Sequence, residues 1–120
     1  MIGFTSSQRY YLSRQAADMR KSYDGLSGIV RQGLGRDPLS GEVFIFLNRR
    51  RTMVKLLVWD RSGFVLWCKR LERGTFELPR STALGASIVL GWEDLVLILE
   101  GVSLGSVRRR VRYARPKAVA

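Results

Sequence analysis

Residues 46–74 read FLNRRRTMVKLLVWDRSGFVLWCKRLERG, and this stretch decides the fold. It contains two polar turn segments, Asn48–Thr52 and Asp60–Gly63, and each lies between apolar, strand-like runs. The first turn joins the run Val43–Leu47 to the next one and carries three consecutive arginines at its tip. The pattern therefore predicts an antiparallel three-stranded meander with a basic hairpin tip.

The second turn also suggests a register for its two strands. Asp60 suits the first position of a type I turn, and Gly63 suits the left-handed position that closes a three-residue loop. This loop would place Lys55 opposite Lys69. One face of the ribbon would then carry Lys55, Trp59, Trp67 and Lys69. Such a face can stack bases between cations, but two tryptophans on a sheet more often pack under a helix. The opposite face is nearly all apolar, so we expect Cys68 to be a buried, inert thiol there.

The flanking segments add two strands and two helices. Arg9–Ser13 and Ser87–Leu90 are predicted strands. Apolar positions at three- and four-residue steps predict a helix at about Arg20–Leu34, with Asp18 as its N-cap and Gly33, Gly35 and Pro38 as its stop. GWEDLVLILEG at 91–101 predicts a compact second helix that is apolar all round, so we expect the sheet or another chain to cover it.

This order predicts an α+β fold in which a mainly antiparallel sheet, a hairpin meander, packs with two helices. Residues 1–104 would form a single domain, and 105–120 a basic, flexible tail.

Composition narrows the class of function. The chain has 120 residues, and its 21 Lys and Arg against 10 Asp and Glu give a net charge of +11, which implies an acidic partner, most often nucleic acid. One cysteine and no histidine exclude an internal disulfide, histidine-dependent catalysis and most zinc sites. Carboxylates interrupt the one long apolar window at 84–104, and the first residues do not form a secretory signal, so we expect no membrane association.

Catalysis finds little support in the sequence. The carboxylates show no local spacing typical of a two-metal nuclease, and the glycine-rich pieces GLGRDP and LGASIVLG lack the patterns of phosphate-binding loops. We therefore expect no catalytic residues, no metal and no cofactor.

DNA binding has better support, from basic residues in the hairpin and the tail. Arginines at a hairpin tip and in a tail can reach phosphates, although a solvated turn and a solubilising appendage have the same composition. The predicted DNA contacts are Arg49, Arg50, Arg51, Lys55, Lys69, Arg108, Arg109, Arg110 and Arg112.

Three blocks of the sequence resemble a known family. They are DMRKSYDGL at 18–26, GRDPLSGEVFIFLNRRRTMVKLLVWDRSGFVLWCKRLERGTFELP at 35–79 and LILEGV at 97–102. Over about residues 8–104 the chain is similar to the second-open-reading-frame accessory protein, TnpB, of insertion-sequence-66 family transposons. The same label is used for an unrelated RNA-guided nuclease with zinc and acidic motifs, and this chain has neither.

The resemblance implies a small bacterial protein encoded beside a DDE-type transposase and needed for transposition, with no chemical activity assigned to it. We therefore expect a non-enzymatic, cytoplasmic and nucleoid-associated accessory protein that binds DNA at the transposon ends. Its apolar final helix would dock on the transposase, and a homodimer is a further possible assembly. One alternative is an adaptor that contacts the transposase without binding DNA; a less favoured one is a metal-dependent nuclease.

Overall fold

The computed structural model describes residues 4–78 and 84–100. Its elements are β1 (Tyr10–Ser13), α1 (Tyr23–Gly28, continued by a π-helical turn over Ile29–Gly33), β2 (Val43–Leu47), β3 (Met53–Asp60), β4 (Gly63–Arg70), β5 (Ser87–Leu90) and α2 (Trp92–Leu99). The predicted α+β class is confirmed. The tail and its arginines lie outside the described residues, so the predicted boundary at 104 stays a prediction. No helix in the described ranges is long and apolar enough to cross a membrane.

The sheet has five strands in the order β4-β3-β2-β1-β5. The meander β2-β3-β4 is antiparallel as predicted, and β5 pairs antiparallel with β1. Only β1 and β2 are parallel, because α1 lies on the connection between them, and Tyr10 aligns with Val43. The carboxyl ends of these two strands therefore meet at one edge of the sheet, which we call the carboxyl edge.

Helices cover both faces of the sheet. On one face, Leu26 and Val30 of α1 pack with Tyr11, Phe44 and Phe46. On the other, Leu95 and Ile98 of α2 pack with Phe76 and with residues of β1, β2 and β3. Every position of β2 is buried, as expected for a central strand covered on both sides. The sheet thus covers one side of α2. The sequence had left two possibilities for this helix, coverage by the sheet or by another chain.

The register predicted for β3 and β4 is wrong by one residue. A two-residue loop, Arg61–Ser62, joins the strands, so Asp60 lies opposite Gly63. The left-handed conformation expected at Gly63 occurs instead at Arg61, with φ of 48°. Because side chains alternate along a strand, this shift moves every β4 side chain to the other face.

The corrected register separates the basic and aromatic residues that had been assigned to one face. Lys55 now lies opposite Cys68, and Lys69 lies opposite Val54, so the two lysines are on different faces. Trp67 packs against the core on the α2 side, whereas Trp59 makes an edge-to-face contact with Phe64, with ring centroids 5.1 Å apart. Cys68 is exposed, contrary to the prediction of a buried thiol.

The start of α1 also differs from the prediction. The N-cap is Ser22, not Asp18. The Asp18 carboxylate instead accepts hydrogen bonds from the guanidinium and the amide of Arg20, which lower the pKa of that carboxyl to about 2. The predicted stop is correct: the helix ends at Gly33, and Gly35 has φ of 64°.

Candidate nucleic-acid interface

The loop between β2 and β3, residues 48–52, carries the three arginines, and we call it the arginine tip. Its shape depends on Asn48. The Asn48 Oδ1 accepts hydrogen bonds from the amides of Thr52, at 2.8 Å, and Met53, at 3.0 Å, and its Nδ2 donates to Thr52 Oγ1 at 3.0 Å. The Arg51 amide donates to the Asn48 carbonyl at 3.0 Å, and Arg51 has φ of 58°. These bonds fix the backbone of the loop.

A second set of bonds ties the arginine tip to the chain that follows β4. The Leu71 amide donates to the Thr52 carbonyl at 2.8 Å, and the Phe76 amide donates to the Arg51 carbonyl at 2.7 Å. The Phe76 side chain is fully buried in the core. The tip is therefore anchored to the hydrophobic core through its own backbone.

The side chains of Arg49, Arg50 and Arg51 are exposed. Among the described residues, none of the three forms a hydrogen bond or ion pair through its guanidinium. Other arginines behave differently: Arg20, Arg36 and Arg70 pair with the carboxylates of Asp18, Glu42 and Glu72, respectively. Arg36 also stacks on the Tyr11 ring, with its guanidinium carbon 3.7 Å from the ring centroid. In the described part of the chain, the three tip arginines therefore have no carboxylate partner, whereas these other arginines do.

The two predicted lysines have a different setting from the tip arginines. The Lys55 ammonium donates to the carbonyls of Met19 and Lys21, both at 2.8 Å, on the α1 side of the sheet. The Lys69 ammonium donates to the Leu99 carbonyl at 2.7 Å, at the carboxyl end of α2 on the other side. Each ammonium therefore satisfies backbone carbonyls of its own chain, and the structure does not bring the two lysines together.

A small cavity lies beside the arginine tip at the carboxyl edge, and we call it the tip cavity. Its volume is about 130 Å³. Its lining comprises Ser13, Arg14, Gln15, Ala16, Leu47, Asn48, Arg49, Arg51 and Leu78. Arg50 does not line it. Sequence reasoning missed Arg14, although its position directly after a predicted strand is a typical place for a binding residue.

A second cavity lies next to the tip cavity. It has a volume of about 290 Å³ and shares the residues 13–16 with the smaller one. Its further lining is mainly apolar or small: Ala17, Ile29, Gly33, Leu34, Gly85 and Ala86. The segment after β1 therefore borders a basic cavity and a larger apolar one.

Acidic residues do not converge in the same way. In residues 4–78 and 84–100, no group of three or more His, Cys, Asp or Glu side chains is placed to hold a metal ion.

Comparisons with known proteins agree with the resemblance drawn from the motifs. The family model described as IS66 Orf2 like protein matches residues 8–109. An uncharacterized protein, y4jC, of Sinorhizobium fredii is 31% identical over 120 residues, which is the whole of both chains. Another, y4hO of the same organism, is 32% identical over 102 residues, 85% of this chain and 87% of its own length. No solved structure matches the chain.

Proposed function

Because the chain belongs to the IS66 Orf2-like family, we propose that it is a non-enzymatic accessory protein of transposition that binds DNA at the ends of an IS66-type element. The arginine tip and the basic tail make the contacts. The observation that carries this proposal is the set of three exposed, adjacent arginines without partners among the described residues, on a loop whose backbone is fixed by hydrogen bonds. Phosphate contacts from arginine are the main source of affinity in most DNA-binding proteins.

The fixed backbone strengthens the argument. A flexible arginine loop loses conformational freedom when it binds, and that loss reduces affinity. In this protein Asn48 and the Phe76 amide already hold the loop in one conformation, so binding orders only the arginine side chains.

A salt titration with the full-length protein and transposon-end DNA tests the proposal. One variant replaces the tip arginines (Arg49→Ala, Arg50→Ala, Arg51→Asn), and the control variant replaces exposed arginines elsewhere (Arg9→Ala, Arg31→Ala, Arg61→Asn). Asn is chosen at 51 and 61 because both positions have positive φ. Both variants lose the same charge, so a selective loss of affinity in the tip variant supports the proposal. Equal affinity in the two variants, or binding without salt dependence, contradicts it.

An adaptor role without DNA contact is the second candidate, and exposed apolar residues favour it. Leu84 is 97% exposed and Val89 on the edge strand β5 is 67% exposed. Large apolar side chains exposed in this way are often found where a protein meets another protein. Co-purification with the transposase from a nuclease-treated lysate distinguishes the roles, because a link made only through DNA is lost under these conditions.

A further inference from the structure

The tip cavity divides the three arginines into two kinds. Arg49 and Arg51 line it, whereas Arg50 lies on the same loop but outside it. We propose that the tip cavity binds a phosphate group of nucleic acid, with Arg49 and Arg51 as its ligands and Arg50 only as a nearby charge. This inference rests on the proposed DNA-binding function and assigns it a specific site.

The position of the cavity in the sheet supports this assignment. It lies where the loops after β1 and β2 meet, because these adjacent strands are parallel and end at the same edge. In sheets with parallel strands, the crevice outside the carboxyl ends is where ligands commonly bind, since loops from different strands bring their side chains together there. The remaining strand pairs in residues 4–78 and 84–100 are antiparallel.

The size of the cavity limits its ligand. Sites for drug-sized molecules usually have volumes of about 300–1,000 Å³, and the tip cavity has about 130 Å³. It therefore suits one small group and not a whole nucleotide.

The chemistry of the lining selects an anion. Guanidinium groups present planar pairs of N–H donors that match phosphate oxygens, and the resulting charge-assisted bonds are among the strongest in proteins. No Asp or Glu lines the cavity, and Arg49 and Arg51 have no carboxylate partner in the described residues. Arg14, Arg49 and Arg51 place three like charges at one small cavity, so a bound phosphate lowers their electrostatic energy.

Single substitutions compare the contributions of the three arginines to DNA affinity, because each substitution removes one positive charge. Fluorescence anisotropy with the full-length protein and a short DNA duplex measures Kd for Arg49→Ala, Arg51→Asn and Arg50→Ala. We expect Kd to rise about tenfold or more for Arg49→Ala and Arg51→Asn, as for a lost charged hydrogen bond. Arg50→Ala should raise it less than about threefold, as for an exposed charge.

A cavity-filling variant tests the site without removing a charge. Ala16→Phe places a ring at the wall that the two cavities share, and Ala86→Phe, at the larger cavity only, is the control. We expect Ala16→Phe to weaken DNA binding as Arg49→Ala does and Ala86→Phe to bind within about threefold of the wild type. Thermal melting of each variant confirms that it is folded.

The outcomes separate this inference from the proposed function. If the three arginine variants lose affinity equally and Ala16→Phe binds as the wild type does, the tip acts as a diffuse charge, and the cavity assignment is overturned while DNA binding stands. If none of these variants changes affinity, and the triple tip variant also binds normally, both the cavity and the proposed function fail.

Competition experiments identify the source of the phosphate. Inorganic phosphate should displace DNA from the wild type at a lower concentration than from Arg49→Ala after correction for ionic strength; equal competition contradicts the site. Tight binding to linear DNA with a 5′-phosphate but not with a 5′-hydroxyl supports a terminal phosphate. Equal binding to linear and circular DNA supports an internal phosphodiester, provided that Arg49→Ala weakens both.

Discussion

Asn48 determines the conformation of the arginine tip through its side-chain amide. Its oxygen accepts from two backbone amides and its nitrogen donates to Thr52 Oγ1, so both ends of this half-buried amide form hydrogen bonds. Loss of such a group leaves backbone donors without an acceptor, which costs more than the bond itself contributes. Asn48 thus fixes the backbone on which the tip arginines are carried.

Replacement of Asn48 tests this role. We expect Asn48→Ala to lower the free energy of unfolding by about 1–3 kcal/mol, because the Thr52 and Met53 amides lose their acceptor. Asn48→Asp keeps the acceptor and loses only the Nδ2 donor, so its effect should be smaller. Urea denaturation measures both, and an Asn48→Ala midpoint equal to that of the wild type contradicts the prediction.

Cys68 gives a second test at the scale of one residue. The corrected register exposes its thiol, whereas the predicted register would bury it. Because the chain has one cysteine, a thiol-reactive dye should label native protein with a stoichiometry of one, and denaturant should add little to the rate. Labelling that requires unfolding would instead support the register predicted from the turn residues.

Among the elements, the β3–β4 hairpin shows what a sequence pattern can and cannot specify. The bounds of β2 and β5 follow directly from their apolar runs and are confirmed. The register of β4 does not follow from its apolar run. A shift of one residue replaces Phe64 and Leu66 by Val65 and Trp67 on a given face of the sheet, and both pairs are apolar. When helices cover both sides of a sheet, either register buries hydrophobic residues, so the turn decides. In the structure, Arg61 and not Gly63 adopts the left-handed conformation in this turn.

Lys55 and Lys69 connect the sheet to the two helices, one on each face. Lys69 donates to the last carbonyl of α2, where a cation also interacts favourably with the helix dipole. Lys55 donates to two carbonyls of the segment that leads into α1. These bonds predict a structural role for both side chains, separate from the DNA contacts proposed for the arginine tip.

Replacement of each lysine by methionine tests whether it serves stability or DNA binding. Met keeps much of the apolar stem of Lys and removes the ammonium group. We expect Lys69→Met and Lys55→Met each to lower the free energy of unfolding by about 1–2 kcal/mol. Lys21→Met, at an exposed position, is the matched control and should change it by less than about 0.5 kcal/mol. DNA affinity of the folded Lys55→Met and Lys69→Met variants should stay within about threefold of the wild type. A tenfold loss of affinity without a loss of stability would assign the two lysines to the DNA interface.

For the whole molecule, positive charge is concentrated at one end of the sheet. The carboxyl edge carries Arg14, the arginine tip and Arg70, together with Glu72 and Glu77. At the opposite ends of the strands, Arg9 and Arg61 lie among four carboxylates, those of Glu42, Asp60, Glu93 and Asp94. The sequence predicted the tip because the three arginines are adjacent in it. The tip cavity could not be predicted, because it depends on the parallel pairing of β1 with β2, which brings Arg14 beside residues more than 30 positions away. Local periodicity contains no information on such a pairing.

The salt dependence of DNA binding then measures how many of the charges act together. Each phosphate neutralised contributes about 0.9 to the slope of log K against log salt. Because Arg49 and Arg51 are proposed to share one phosphate, the triple tip variant should lower the slope by up to about 2 units, and replacement of Arg108, Arg109, Arg110 and Arg112 by Ala by up to about 4. If the tip and the tail bind separate phosphates, the variant that combines all seven substitutions should lower the slope by the sum of the two effects. If the tail substitutions leave the slope unchanged, the DNA interface is confined to the folded domain, and the charge of the tail serves another partner.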